Sequence, residues 1–254
     1  MAALLQAGAI GSGRIWLLLG IIGMALGTAY FIGIGRKETN TTTRRFCTII
    51  TAASIIAMIA YLVMALGYGD TAVTSGGETY TVHWVHYASW ALTTPLILFA
   101  LALVAEGTRR TIAALVGFDV SMILLGLVTA LTGRGLAGLD TQTLQFVLLG
   151  ASFIAYLAVF GLLIRPLSRE AAQQSPEVAM LFSMLRNIVI VLWVFYPIVW
   201  LLGPSVLDLI PAAITLLAYL VLDLLVKIGF GVLLLRSDTV LEQTTGTLAG
   251  PTAD

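Results

Sequence analysis

The sequence predicts an all-α membrane protein in which seven transmembrane helices form one bundle. Only 10% of its 254 residues are charged and 59% are hydrophobic, whereas a soluble domain carries about 25% charged residues. Apolar runs recur along the chain, and each approaches the roughly 20 residues that a helix needs to cross the hydrocarbon core. The composition therefore favours lipid rather than water as the surroundings of the folded chain.

The seven predicted spans follow one another through short polar or glycine-rich connections. In chain order they are 15–34, 46–66, 84–104, 112–131, 144–164, 178–202 and 211–235. We expect them to form a single domain over residues 1–254, with residues 239–254 as a polar cytoplasmic tail. In the second connection, the alternation of residues 78–82 after Gly76-Gly77 indicates a small extracellular hairpin.

Basic residues are distributed unevenly between the two sets of connections. Only Arg14 and Arg134 fall on the side of the second connection, and ten basic residues fall on the other. Those ten are Arg36, Lys37, Arg44, Arg45, Arg109, Arg110, Arg165, Arg169, Arg186 and Arg236. The preference of basic loops for the cytoplasm predicts an extracellular N-terminus and a cytoplasmic C-terminus in a prokaryotic plasma membrane. The remaining basic residue, Lys227, lies in the middle of the last span.

Charge and cysteine content exclude several other classes of protein. A net charge of zero gives no basic excess for binding nucleic acid. Cys47 is the single cysteine, so disulfides within the chain are excluded. The two histidines, His83 and His86, are too few to build a metal site.

Asp223 and Lys227 are the first candidates for a functional site. Ionisable residues inside a membrane are costly and therefore indicate function. Asp223 and Lys227 are four residues apart, which puts both on one face of a helix. They could form a structural ion pair that neutralises itself. Alternatively, the lysine could form a Schiff base with an aldehyde, and the carboxylate would be its counter-ion.

Aromatic residues at mid-membrane depth strengthen the second interpretation. Trp90, Trp193, Tyr196 and Trp200 lie in spans three and six, whereas membrane aromatics usually collect at the interfaces. Such a set can be core packing, but beside a buried lysine it can also enclose a flat apolar ligand. Asp119 in span four has no evident basic partner, and we expect it to be protonated, hydrogen-bonded and structural.

Several longer motifs occur in a distinctive order and spacing. They are Tyr87-Ala88-Ser89-Trp90, Thr93-Thr94-Pro95-Leu96, Trp193 with Tyr196-Pro197 and Trp200, and Leu222-Asp223 with Lys227-Ile228-Gly229-Phe230-Gly231. In these motifs, and over nearly the whole chain, the sequence resembles the archaeal-type microbial rhodopsins of the bacteriorhodopsin and halorhodopsin branch.

The resemblance implies a light-activated membrane protein, not an enzyme, with all-trans retinal bound covalently to Lys227 and Asp223 as counter-ion. It also implies a homo-trimer in the bilayer and removal of a short leader, which would make Gln6 the mature N-terminus. The positions that match the retinal pocket are Tyr87, Trp90, Thr94, Met122, Gly126, Trp193, Tyr196, Pro197 and Trp200.

The sequence departs from the family's proton pumps at the groups that carry protons. Where those pumps have an Asp acceptor, an Asp donor and an Arg near the Schiff base, this chain has Ser89, Ala100 and His86. Serine and alanine do not exchange protons at physiological pH. Of the usual titrating groups on the outward proton path, only Asp223 remains.

Two other parts of the family pattern also differ. The paired glutamates of the extracellular release site are matched by Ser205 and Thr215. In span five, Leu149 stands where a pocket tryptophan is expected, and Phe153 and Tyr156 are candidates to fill the space.

The missing carboxylate alters the charge balance around the Schiff base. A protonated His86 would leave one uncompensated positive charge, and an anion such as chloride could then bind beside Ser89 and Thr93. Chloride pumps of the family also have two hydroxyls and an alanine at the positions of Ser89, Thr93 and Ala100, in the opposite hydroxyl order. They keep an arginine where this chain has His86.

Three classes of function therefore stay open. A light-driven anion transporter explains Ser89, Thr93 and Ala100. A photosensory receptor explains the missing transport groups, but Val221 and Val226 stand where some sensory members have polar residues that bond a transducer helix. A proton transporter would need unusual groups such as His86 and Asp223.

Overall fold

The computed structural model describes residues 2–75, 78–132, 141–204 and 206–237, without the side chains of 2–12, 75, 78, 141 and 142. Ser205, Arg134, Gly76-Gly77 and the tail 239–254 lie outside the described residues, as does the side chain of Gln6. The elements are α1 (Ala2–Lys37), α2 (Thr41–Ala65), β1 (Thr71–Ser75), β2 (Glu78–Val82), α3 (Trp84–Val104), α4 (Arg109–Leu131), α5 (Thr141–Ile164), α6 (Pro166–Ala171), α7 (Pro176–Leu202), α8 (Ala212–Asp223), a π-helical turn (Leu224–Gly229) and α9 (Phe230–Leu235).

Seven helical segments of the described chain are long and apolar enough to cross a membrane. They are Gly13–Lys37, Thr41–Ala65, Trp84–Val104, Arg109–Leu131, Thr143–Ala171, Pro176–Leu202 and Ala212–Leu235. Segments that follow one another in sequence pack together, and α8 also packs on α1, which closes the ring. The predicted seven-helix bundle is thus confirmed.

Short polar residues define where three of these helices begin. The side chain of Asn40 accepts hydrogen bonds from the first turn of α2, Thr108 does the same for α4 and Ser175 for α7. Each supplies an acceptor for backbone N–H groups that have no partner within the helix. Helix α1 extends beyond the predicted span 15–34 in both directions.

The predicted hairpin is confirmed between α2 and α3. Strands β1 and β2 pair antiparallel, with Val73 opposite Tyr80. Val73 and Val82 are buried against Ala130 at the end of α4, and the Tyr80 hydroxyl donates to the carbonyl of Ala130 at 3.2 Å. The hairpin therefore covers one end of the bundle.

Two apolar clusters occupy opposite ends of the bundle interior. The larger lies toward the arginine-rich connections and includes Phe31, Phe182 and Phe230. The smaller lies toward the hairpin and includes Met24 and Leu220.

The last span differs from the uninterrupted α-helix expected over 211–235. Between α8 and α9 the backbone widens into one π-helical turn, which contains Lys227. Such turns are rare and occur often at functional sites. This turn places Lys227 between the two apolar clusters, where its side chain is 1% exposed.

Candidate functional site

The ion pair between Lys227 and Asp223 is the centre of the site. Lys227 Nζ donates to Asp223 Oδ1 at 2.6 Å, and both side chains are buried. The same oxygen accepts from Tyr196 Oη at 2.8 Å and from Trp90 Nε1 at 3.1 Å, and Oδ2 accepts from Tyr61 Oη at 2.9 Å. Four donors from four different elements thus converge on one carboxylate, which stabilises its ionised form.

A cavity with about 870 Å³ of atom-free space adjoins this pair. All nine residues that match the family's pocket positions line it. They are Tyr87, Trp90, Thr94, Met122, Gly126, Trp193, Tyr196, Pro197 and Trp200. Six further residues complete the wall: Ile123, Leu149, Ser152, Phe153, Tyr156 and Tyr219.

Span five contributes to this cavity the residues that were candidates to fill the space of the absent tryptophan. Leu149, Phe153 and Tyr156 all face the cavity, so two aromatic rings stand beside the smaller leucine. The Ser152 hydroxyl donates to the carbonyl of Met122, another lining residue, at 2.8 Å.

The cavity and the ion pair suit an elongated apolar aldehyde such as retinal. Eight of the fifteen lining residues are aromatic, and flat rings favour a flat apolar group. Lys227 does not line the cavity itself, but Trp90 and Tyr196 both line it and donate to the carboxylate oxygen that Lys227 contacts. The amine of Lys227 therefore lies one side chain beyond the cavity wall.

One face of α3 carries the three candidate ion-site residues together with Ala100. His86, Ser89, Thr93 and Ala100 recur at intervals of three, four and seven residues, which puts them on one stripe of the helix. All four are buried. Two of their polar atoms, His86 Nε2 and Thr93 Oγ1, have no hydrogen-bond partner in the described part of the chain.

Asp119 belongs to a separate polar contact. The Thr94 hydroxyl lies 2.8 Å from the carbonyl oxygen of Trp90 and 2.7 Å from Asp119 Oδ2. The carbonyl can only accept, so the single hydroxyl proton goes to it and the second contact needs a proton on Asp119. This geometry agrees with the expected neutral, hydrogen-bonded carboxyl.

Sequence reasoning did not single out Tyr61 and Tyr219. Tyr219 precedes Asp223 by four residues, so helical periodicity could have found it. Tyr61 lies 162 residues from the aspartate that it contacts, and nothing local in the sequence indicates that contact.

Thr215, which matches one of the release-site positions, donates its hydroxyl to the carbonyl of Pro211 at the start of its own helix, at 3.3 Å.

Comparisons with known proteins agree with this architecture. Residues 12–241 match the family model described as "Bacteriorhodopsin-like protein". A bacteriorhodopsin of Haloterrigena sp. (strain arg-4) is 42% identical over 97% of this chain and 96% of its own length.

Two solved structures are also similar. The thermophilic rhodopsin of Rubrobacter xylanophilus has 38% identity and a TM-score of 0.82, covering 91% of this chain and 98% of that one. A light-driven proton pump of Coccomyxa subellipsoidea has 27% identity and a TM-score of 0.82, covering 89% and 96%.

The family match extends over most of the chain and includes every helix that surrounds the cavity. Members of this family bind retinal covalently through a lysine Schiff base and are not enzymes. The chain therefore belongs to the bacteriorhodopsin-like family of microbial rhodopsins and is a multi-pass, retinal-binding membrane protein.

Proposed function

We propose that this protein is a light-driven ion transporter and that the transported ion is a small anion, with chloride the first to test. Retinal would be attached to Lys227 with Asp223 as its counter-ion, and the anion would bind beside His86, Ser89 and Thr93. Retinal, when bound, supplies the light-absorbing group that isomerises, and the surrounding side chains decide which ion responds.

The burial of Lys227 supports its role as the attachment residue. The chain has one other lysine, Lys37, which lies in the last turn of α1 beside Arg36. A lysine amine can form a Schiff base with an aldehyde. The adjacent carboxylate of Asp223 would then balance the positive charge of the protonated linkage.

The observation that carries the anion assignment is the pair of unpartnered atoms on α3. A buried polar group without a hydrogen bond costs about 1–3 kcal/mol, so Thr93 Oγ1 and His86 Nε2 each favour a hydrogen-bonding ligand. A hydroxyl and a protonated imidazole both donate hydrogen bonds, and a halide accepts them. Ser89 adds a second buried hydroxyl on the same face.

The other half of this face offers no group that could pass a proton. Beyond Thr93 the buried stripe continues through Ile97, Ala100 and Val104, all with no solvent exposure. Apolar side chains neither donate nor accept protons. This stretch of α3 therefore gives no support to a proton as the transported ion.

A proton transporter is the second candidate, and one distance favours it. His86 Nε2 lies 3.9 Å from Asp223 Oδ2, so a small movement or one bridging water would allow a proton to pass between them. The similar Coccomyxa protein is itself described as a light-driven proton pump.

Chloride titration of the retinal-loaded protein tests the proposal. The visible absorption band should shift as chloride replaces gluconate at constant ionic strength, since an anion beside the chromophore changes its electrostatic surroundings. Thr93→Val should weaken chloride binding at least tenfold. Thr129→Val is the matched control, because the Thr129 hydroxyl donates to the carbonyl of Leu125 in its own helix. A band that ignores chloride would overturn the anion site.

Illuminated cells or vesicles separate the candidate functions. Anion uptake should make the medium more alkaline, and an uncoupler should increase this signal because protons follow the charge. Acidification that an uncoupler abolishes would instead identify proton export. No change of either kind would favour a photosensory receptor.

The membrane arrangement is part of the same proposal. The arginine-rich connections support a cytoplasmic C-terminus in a prokaryotic plasma membrane. Assembly as a homo-trimer stays a prediction from the family resemblance, and the mass of the detergent-solubilised particle tests it.

A further inference from the structure

A second cavity, with about 700 Å³ of atom-free space, lies between the hairpin and the first cavity. His83 and His86 both line it, together with Thr81 and Thr215. It shares a wall with the first cavity. The four shared residues are Tyr87, Trp90, Trp200 and Tyr219. His86 is therefore reached from the hairpin end of the bundle without passing through the retinal cavity.

His86 is tightly held at the inner end of this second cavity. Its ring stacks on Trp90 with centroids 5.1 Å apart, and it meets the rings of Tyr61 and Tyr219 edge-on at 5.4 and 5.6 Å. These contacts fix the imidazole, and Nε2 lies 3.9 Å from Asp223 Oδ2 without a hydrogen bond. A buried, unpartnered nitrogen thus lies on a cavity wall beside the counter-ion.

We propose that the anion enters through the second cavity and binds only together with a proton on His86, so that chloride and a proton occupy the centre as a unit. This inference rests on the proposed anion site and names how that site is regulated. The ligand of the site is a small monovalent anion. If the inference holds, external pH sets the affinity of the site for that anion.

The charges around His86 and Asp223 explain why the anion would need a proton on His86. In the described part of the chain, His86 and Asp223 are surrounded by five other titratable groups. They are Tyr61 from α2, Tyr196 from α7, Tyr219 from α8, Lys227 from the π-helical turn and His83 from the start of α3. The tyrosines are neutral near pH 7. The charges of Lys227 and Asp223 cancel.

With neutral His86, this centre has no net positive charge to balance an anion, and an unpaired buried charge is strongly unfavourable. A proton on His86 supplies the missing charge and an N–H donor. His83 also lines this cavity, and a His83→Gln variant separates its contribution from that of His86.

Thermodynamic linkage then predicts the pH dependence. If the anion binds only the protonated form, chloride must in turn favour protonation of His86 to the same extent. Chloride affinity is full below the midpoint of His86 in the anion-free protein. Above that midpoint the chloride Kd rises about tenfold for each pH unit.

Chloride titrations of the retinal-loaded protein across about pH 4 to 9, a range wider than that in which an ordinary histidine titrates, test this inference. The wild-type Kd should show the tenfold slope. His86→Arg keeps a fixed positive charge, so its Kd should not depend on pH. His83→Gln should keep the slope. A slope that persists in His86→Arg would place the proton on another group, such as Asp223, and overturn the inference.

Proton uptake gives a readout that needs no variant. Adding chloride in the dark to weakly buffered wild-type protein, above the midpoint, should take up about one proton per chloride bound, measured with a pH dye against a gluconate control. Chloride binding without proton uptake, or with a pH-independent Kd, overturns the inference and leaves the anion site standing. Failure of chloride to bind at any pH would instead overturn the proposed function itself.

Discussion

The imidazole Nε2 of His86 and the carboxylate Oδ2 of Asp223 lie 3.9 Å apart in the bundle interior, with side-chain exposures of 4% and 1%. The other oxygen of Asp223 contacts a cation, Lys227. Asp223 therefore has a lysine on one side and, on the other, a residue type that ordinarily titrates near neutral pH. The net charge of this centre is consequently set by the state of His86.

Lys227→Ala should abolish the visible absorption band, because it removes the buried amine that would attach retinal. The measurement is the absorption spectrum after addition of retinal to purified protein. Lys37→Ala replaces the other lysine of the chain and should leave the band unchanged. A coloured Lys227→Ala protein would contradict the assignment of the attachment residue.

Asp223→Asn should make the visible band disappear at lower pH than in the wild type. Removing one partner of a buried ion pair costs about 3–5 kcal/mol, which corresponds to roughly 2–4 pH units at ~1.4 kcal/mol per unit. An alkaline titration of the band measures the change. Asp119→Asn is the matched control and should shift this transition little, since the contact with Thr94 already requires a neutral Asp119.

Gly126→Leu should reduce retinal binding, because its side chain would occupy the cavity that Gly126 lines. A single methyl group fits, since a Cβ there would lie 3.8 Å from Ser152 Oγ and 3.9 Å from Tyr87 Cε1. Gly126→Ala should therefore still bind retinal. Equal yields of coloured protein from both variants would show that retinal does not lie beside Gly126.

Glu170→Gln should weaken the contact between α6 and the start of α4. Glu170 Oε1 accepts from the Thr108 amide at 3.3 Å and from the Thr111 hydroxyl at 2.9 Å, and a carboxylate at a helix N-terminus contributes up to about 1 kcal/mol. The rate of thermal bleaching should rise severalfold. Glu177→Gln, an exposed residue in the first turn of α7, controls for loss of charge, and equal bleaching of the two variants would argue against the contact.

Local pattern was sufficient to predict several features that the structure contains. The four-residue spacing of Asp223 and Lys227 predicted a shared face, and their atoms lie 2.6 Å apart. The alternation of residues 78–82 likewise predicted a hairpin, and β1 and β2 pair antiparallel. These predictions succeeded because helix and strand periodicity depend only on residues close to one another in sequence.

Other features could not be predicted in this way. The π-helical turn around Lys227 changes the helix without a distinctive composition, so the last span read as one α-helix. The hydrogen bond from Tyr61 to Asp223 joins residues far apart in sequence. Glu170 read as part of a polar connection, and only the packing of α6 on α4 shows that it reaches the start of another helix.

The amino-acid sequence alone was sufficient to identify the seven-helix membrane fold, the family and the single intramembrane lysine. These follow from the lengths of apolar runs and from residue identities, which need no knowledge of how the helices pack. The packing of the helices was needed to show that four donors converge on Asp223, that two cavities share an aromatic wall, and that His86 Nε2 and Thr93 Oγ1 have no hydrogen-bond partner among the described residues. Those features depend on the rotation of each helix about its axis, which is fixed when side chains from different helices pack against one another.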